Sequence, residues 1–102
     1  MSKTYRVLFS PESEAQLAAL YRYIAAAGSP QTALDYTEAI VVTCESLANF
    51  PERGVRRDDV RPGLRTTHHR GQVVIAYAII DDDVHILGIY YGGQDYESLI
   101  RG

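Results

Sequence analysis

The sequence predicts an α+β fold: an N-terminal strand, an antiparallel helix hairpin packed on a small, mostly antiparallel sheet, in the order β-α-α-β-β-β, and a short C-terminal helix. Three observations predict it. Residues 4–10, "TYRVLFS", alternate Tyr5, Val7 and Phe9 with Thr4, Arg6 and Ser10, which is the period of a strand. Two Ser-Pro pairs, Ser10-Pro11 and Ser29-Pro30, each precede apolar residues at helical spacing. Two apolar runs, "VVIAYAII" and "VHILGIYY", flank Asp81-Asp82-Asp83 as strands flank a hairpin turn. The 102 residues suffice for one domain, spanning 1–102.

Each element has a local cause. Ser10 can accept from the free N–H groups of a first helical turn, and proline at the first position loses no hydrogen bond. Glu12 and Glu14 complement the helix dipole, and Leu17, Leu20, Tyr21 and Ile24 form one stripe. Gly28 is placed to end this helix. Ser29-Pro30 repeats the start signal, and the second helix is expected from Pro30 to about Asn49. Ala33, Thr37, Ile40, Cys44 and Leu47 are its stripe, with Leu34, Val41 and Ala48 beside it. Pro51 ends it. "PERGVRRDDVRPG" is expected as a polar loop. "LRTTHHR", with Gly71-Gln72 as a turn, leads into the central strand. "QDYESLIRG" closes the chain as a short helix, with Leu99 and Ile100 pointing inward.

Charge is unevenly spread. Six arginines (Arg53, Arg56, Arg57, Arg61, Arg65, Arg70) face three acids between Pro51 and Gly71, while both flanking segments are net acidic. Such a run suits either a solvated loop or a surface for acidic groups or RNA. Cys44, the single cysteine, excludes an intramolecular disulfide and a cysteine-based zinc cluster, and its apolar neighbours suit an inert thiol. No apolar run approaches the roughly 20 residues of a membrane span. The first residues lack a signal-peptide core, so the cytoplasm is expected and no membrane. His68 and His69, adjacent on a strand, point to opposite faces and cannot share a metal ion. His85 suits a partly buried side chain. Neither a cofactor loop nor a nucleophile–base pair is evident, so no catalytic residue, metal or cofactor is assigned.

Tyr77 belongs to the core, its hydroxyl at an edge. Tyr90 and Tyr91 point to opposite faces, so one of them is available to a partner. Tyr21, Tyr23 and Tyr36 add aromatic area on the helix hairpin, with Tyr21 expected in the core-facing stripe. Gly92-Gly93 suits a strand exit with positive φ. Arg65 suits either a contact residue or a structural ion pair with the Asp81–Asp83 turn or Asp95.

In order and spacing, "YRVLFSPESEAQLAALYRYIAAAG", "ANFPERG" (Ala48–Gly54), "PGLR" (Pro62–Arg65), "VVIAYAI" (Val73–Ile79) and "ILGIYYGGQD" (Ile86–Asp95) resemble the ParE/RelE superfamily of toxins from bacterial type II toxin–antitoxin pairs. The resemblance runs from about Tyr5 to about Asp95 and is nearer to ParE than to RelE, since Lys3 is the only lysine. It implies a toxin that inhibits DNA gyrase without bond chemistry of its own. It also implies a hetero-oligomer with a ParD-like antitoxin, a ribbon-helix-helix protein whose C-terminal segment wraps the toxin; DNA is then met only through the antitoxin. Many members end the last strand with "H-x-x-R-D"; here Tyr91 and Gln94 replace the histidine and arginine, and Asp95 is kept. Arg65, Tyr91, Gln94 and Asp95 are therefore candidates for target or partner contact. Tyr23, Tyr36, Arg53, Arg56, Arg57 and Arg61 are candidates for antitoxin contact. One alternative is a RelE-like ribosome-dependent mRNA endonuclease using Arg61, Arg65 and Arg70 with His68 or Tyr91. The other is an inactive homologue acting as co-repressor with its antitoxin.

Overall fold

The computed structural model describes residues 4–101. Strand β1 (Arg6–Phe9) leads into helices α1 (Pro11–Ala27) and α2 (Pro30–Glu45). Two single 3-10 turns (Ser46–Ala48 and Pro51–Arg53) precede β2 (Val55–Arg56), β3 (Leu64–His69), β4 (Val73–Ile80), β5 (Asp83–Tyr91) and α3 (Tyr96–Arg101). The sheet order is β1-β5-β4-β3-β2. Only β1 and β5 run parallel; the other pairs are antiparallel.

Both helices begin as their caps dictate. Ser10 Oγ accepts from Ser13 N at 3.0 Å, and Ser29 Oγ accepts from Thr32 N at 3.1 Å. Gly28 donates its N–H to Ile24 O but stands at φ −132°, outside the left-handed region. The hairpin lies on one face of the sheet. There Leu20, Ile40, Cys44 and Leu47 pack on Val73, Ile75, Tyr77, Val84, Ile86 and Ile89. A smaller core on the other face joins Val60, Leu64, Ala76 and Tyr90, with Tyr96 and Ile100 of α3 against it. Tyr90 and Tyr91 thus serve opposite faces.

Several expectations need correction. The segment after Pro51 contains the short edge strand β2, paired Val55↔Thr66 and Arg56↔Arg65. What pins it is distant in sequence: Tyr77 Oη donates to Pro51 O at 2.7 Å and accepts from Gly54 N at 2.9 Å. The Tyr77 hydroxyl is therefore buried, not at an edge. The second helix closes as α-helix at Glu45 and tightens to 3-10 geometry through Ala48. The β3–β4 turn centres on Arg70-Gly71, both at positive φ, one residue earlier than expected. Leu99 is exposed; only Ile100 reaches the second core, because one face of so short a helix touches the sheet. Tyr21 does not join the core under the sheet but lies in the groove between α1 and α2, near Leu17 and Val41.

Candidate interaction site

Strand β5 ends in a cluster of rings. Tyr91 faces the helices, its ring centre 6.2 Å from that of Tyr23 on α1 and 6.1 Å from that of Tyr36 on α2. Tyr36 in turn stands edge-on to His69 of β3 at 5.8 Å. Edge-to-face contact suits the charge distribution of aromatic rings. Tyr23 is 63% exposed, so the cluster opens to the surface.

His69 anchors its inner end. Thr43 Oγ1 lies within hydrogen-bond distance of Ala39 O, at 3.1 Å. The same hydroxyl stands 2.8 Å from His69 Nδ1, donating or accepting according to the ring's tautomer. Nε2 is buried without a hydrogen-bond partner among the described residues. Burial first, and then the Arg70 charge, hold the His69 pKa below the usual histidine value. Burial, followed by the neighbouring Tyr91, raises the Tyr36 phenol; Arg70 opposes this.

Between α1 and the end of β5 lies a cleft of about 420 Å³, walled by Leu20, Tyr23, Ile89 and Tyr91 and rimmed by Gln16 and Gln94. Gly92 and Gly93 turn the chain out of the strand at φ 68° and 79°, values that favour glycine. Their turn brings Gln94 Oε1 back to accept from Tyr91 N at 2.9 Å.

Tyr23, Tyr36, Tyr91 and Gln94, assigned to two surfaces from the sequence, thus meet in one place. Asp95 stands apart as the cap of α3, accepting from Ser98 N at 3.3 Å and Ser98 Oγ at 2.7 Å; these bonds lower its pKa. Arg65 makes neither expected ion pair. It donates to the carbonyls of Gly54 (3.2 Å) and Glu52 (3.4 Å), while Asp83 of the acidic turn takes Arg6 at 3.1 Å. Asp83 stands at the start of β5, with β4 between that strand and Arg65 on β3.

The remaining arginines disperse. Arg53 reaches Ser46 Oγ at 2.7 Å near the end of α2. Arg56 pairs with Asp58 at 2.9 Å. Arg57 holds Asp59 (3.1 Å), Glu97 (2.6 Å) and the Tyr96 hydroxyl, clasping α3 to the preceding loop. Its guanidinium pKa rises, from the Asp59 bond first and then Glu97. Arg61 and Arg70 make no ion pair among the described residues. They flank β3 at opposite ends, and from Arg65 to Arg70 the chain alone spans roughly 17 Å at 3.3 Å per residue. His68 lies on the opposite face of the sheet from Tyr91, His69 being turned to the helices. Lys3 lies outside the described residues. Cys44 is buried, and desolvation pushes its thiol up to about 12.

The sequence missed the clustering of the tyrosines, and also His69 and Gln16. The available signal was the parity of β3 and β4: the position after an exposed His68 had to face the helices.

A family model described as the ParE toxin of type II toxin–antitoxin system, parDE, matches residues 7–96. The fold is similar to that of a chain in the chromosomal ParDE TA system from P. aeruginosa, with a TM-score of 0.77 and 24% identity over 89% of this chain and 99% of that one. It is also similar to a chain of the toxin–antitoxin complex RelBE2 from Mycobacterium tuberculosis, with a TM-score of 0.63 and 22% identity over 89% and 94%. No curated protein sequence matches.

Proposed function

Since this chain belongs to the ParE toxins of type II toxin–antitoxin systems, we propose that it acts by binding other proteins, with a ParD-like antitoxin as its neutralising partner and DNA gyrase as its target. One observation carries this reading: the strand exit gathers Tyr23, Tyr36 and Tyr91 into an open aromatic surface beside a cleft. Tyrosines combine apolar area with a polar tip and are enriched among residues that dominate protein interfaces. The residues an endonuclease would need are spread over two faces and both ends of the sheet, which also favours binding over bond chemistry.

The antitoxin, a ribbon-helix-helix protein, lays its C-terminal segment over the helix hairpin and the ring cluster. The complex is a cytoplasmic hetero-oligomer that meets DNA through the antitoxin alone. Induced expression, with and without the product of the neighbouring gene, tests this. Growth should arrest with the chain alone and recover on co-expression. A harmless chain that binds no neighbouring-gene product would overturn the reading. Ribosome-dependent mRNA cleavage would instead mark a RelE-like endonuclease. Complex formation without arrest would mark a co-repressor.

A further inference from the structure

We propose that the outer edge of β5 at Ile89–Tyr91 is a docking site for an extended peptide strand, kept closed in the free chain by the side chains of Gln16 and Gln94. The proposal rests on the antitoxin reading above and assigns the part of this chain that the antitoxin's tail pairs with.

Strand β1 covers β5 only from Asp83 to Ile86. Beyond that point Ser10 takes over briefly, its N–H donating to Ile86 O at 3.0 Å and its Oγ to Leu87 O at 3.2 Å. From there the edge has no strand neighbour among the described residues. The pairing with β4 fixes which backbone groups point outward. Gly92 N donates inward, to Gln72 O at 3.1 Å, so Ile89 and Tyr91 direct their N–H groups the other way. Each meets a glutamine oxygen in place of a strand carbonyl: Gln16 Oε1 at 2.6 Å from Ile89 N, and Gln94 Oε1 at 2.9 Å from Tyr91 N. A side-chain amide has the same acceptor chemistry as a peptide carbonyl. Two such acceptors at alternate positions reproduce one edge of an absent strand. Unlike a backbone, they sit on rotatable side chains and can swing away. Unpaired strand edges are otherwise templates for indiscriminate pairing, and the glutamines blunt this one.

The occupant is a peptide with an apolar and an acidic side chain. Strand addition supplies main-chain bonds, while pockets choose alternate side chains. The cleft of about 420 Å³ walled by Leu20, Tyr23, Ile89 and Tyr91 adjoins this edge and suits an apolar side chain. Arg70, exposed and without an ion pair among the described residues, directly follows His69, whose ring meets Tyr36 at the far side of the cluster, and is a site for a carboxylate.

The test uses the full chain and the co-expressed product of the neighbouring gene. Amide hydrogen exchange at Ile89 and Tyr91 should slow at least tenfold in the complex. In the free chain, Gln16→Ala with Gln94→Ala should speed it severalfold. Ala19→Arg, which fills the mouth of the cleft from an exposed helix position, should weaken the complex at least tenfold, whereas Ile80→Arg, at the end of β4 opposite the start of β5, should not. A complex that forms with unchanged exchange at both amides and tolerates Ala19→Arg overturns the edge assignment and leaves the antitoxin reading standing. No complex at all overturns both. Protection that appears in the free chain and grows with its concentration would show a second copy as the occupant, and would also overturn the proposal.

Discussion

Removing the Tyr77 hydroxyl strands two backbone groups at once, Pro51 O and Gly54 N. Tyr77→Phe should cost about 1–3 kcal/mol in denaturant unfolding, the range for leaving buried polar groups unpaired. Gly54 is committed to the same contact: a Cβ there would stand 2.5 Å from Tyr77 Oη and 2.7 Å from Thr66 O, so Gly54→Ala should destabilise as well. His69 has the opposite problem, a nitrogen already unpaired among the described residues. Its folded pKa lies below the ordinary 6.5 because of burial and Arg70. The unfolded chain therefore binds a proton first as pH falls. The stability that neutral His69 contributes is full above pH 6.5 and is lost as pH drops toward the folded pKa. Thermal melts should fall over that window, and less steeply in His69→Leu. An equal slope in both would contradict the assignment.

At the scale of elements, α3 depends on a long-range clasp. Arg57 holds Glu97 and Tyr96, and Arg101 Nη2 donates to Asp59 O at 3.0 Å. Arg57→Ala should speed amide exchange in Tyr96–Arg101 while leaving β4 unchanged. Uniform loss across the sheet would contradict this.

Elements were legible in the sequence where their cause is local. Each Ser-Pro cap satisfies a helix start within three residues, and β4 and β5 declare themselves as apolar runs. Strand β2 was not legible, since two residues carry no period and their support comes from Tyr77 and Arg65. The arginine cluster misled for the same reason. Neighbours in sequence, these side chains find an α2 terminus, local acids, α3 and two loop carbonyls in space. The helix tyrosines and Tyr91 were assigned to separate surfaces because only packing of the hairpin on the sheet decides that Tyr23 and Tyr36 stand over the end of β5.

For the whole molecule, the two faces of the sheet divide the work. One face and α3 complete a small second core, and the other carries the hairpin and opens at one end into the ring cluster and its cleft. The proposed placement of function at that end makes binding and stability separable. Tyr23→Ala, at an exposed ring, should weaken antitoxin binding at least tenfold in calorimetric titration, with the unfolding midpoint almost unchanged. Loss of stability alone would assign Tyr23 to the fold. The central claim, a toxin that works by binding gyrase, is tested most directly by titrating the purified chain into a DNA gyrase supercoiling reaction on relaxed plasmid. The account predicts dose-dependent inhibition that added antitoxin reverses. Full supercoiling at a large molar excess of the chain would contradict it.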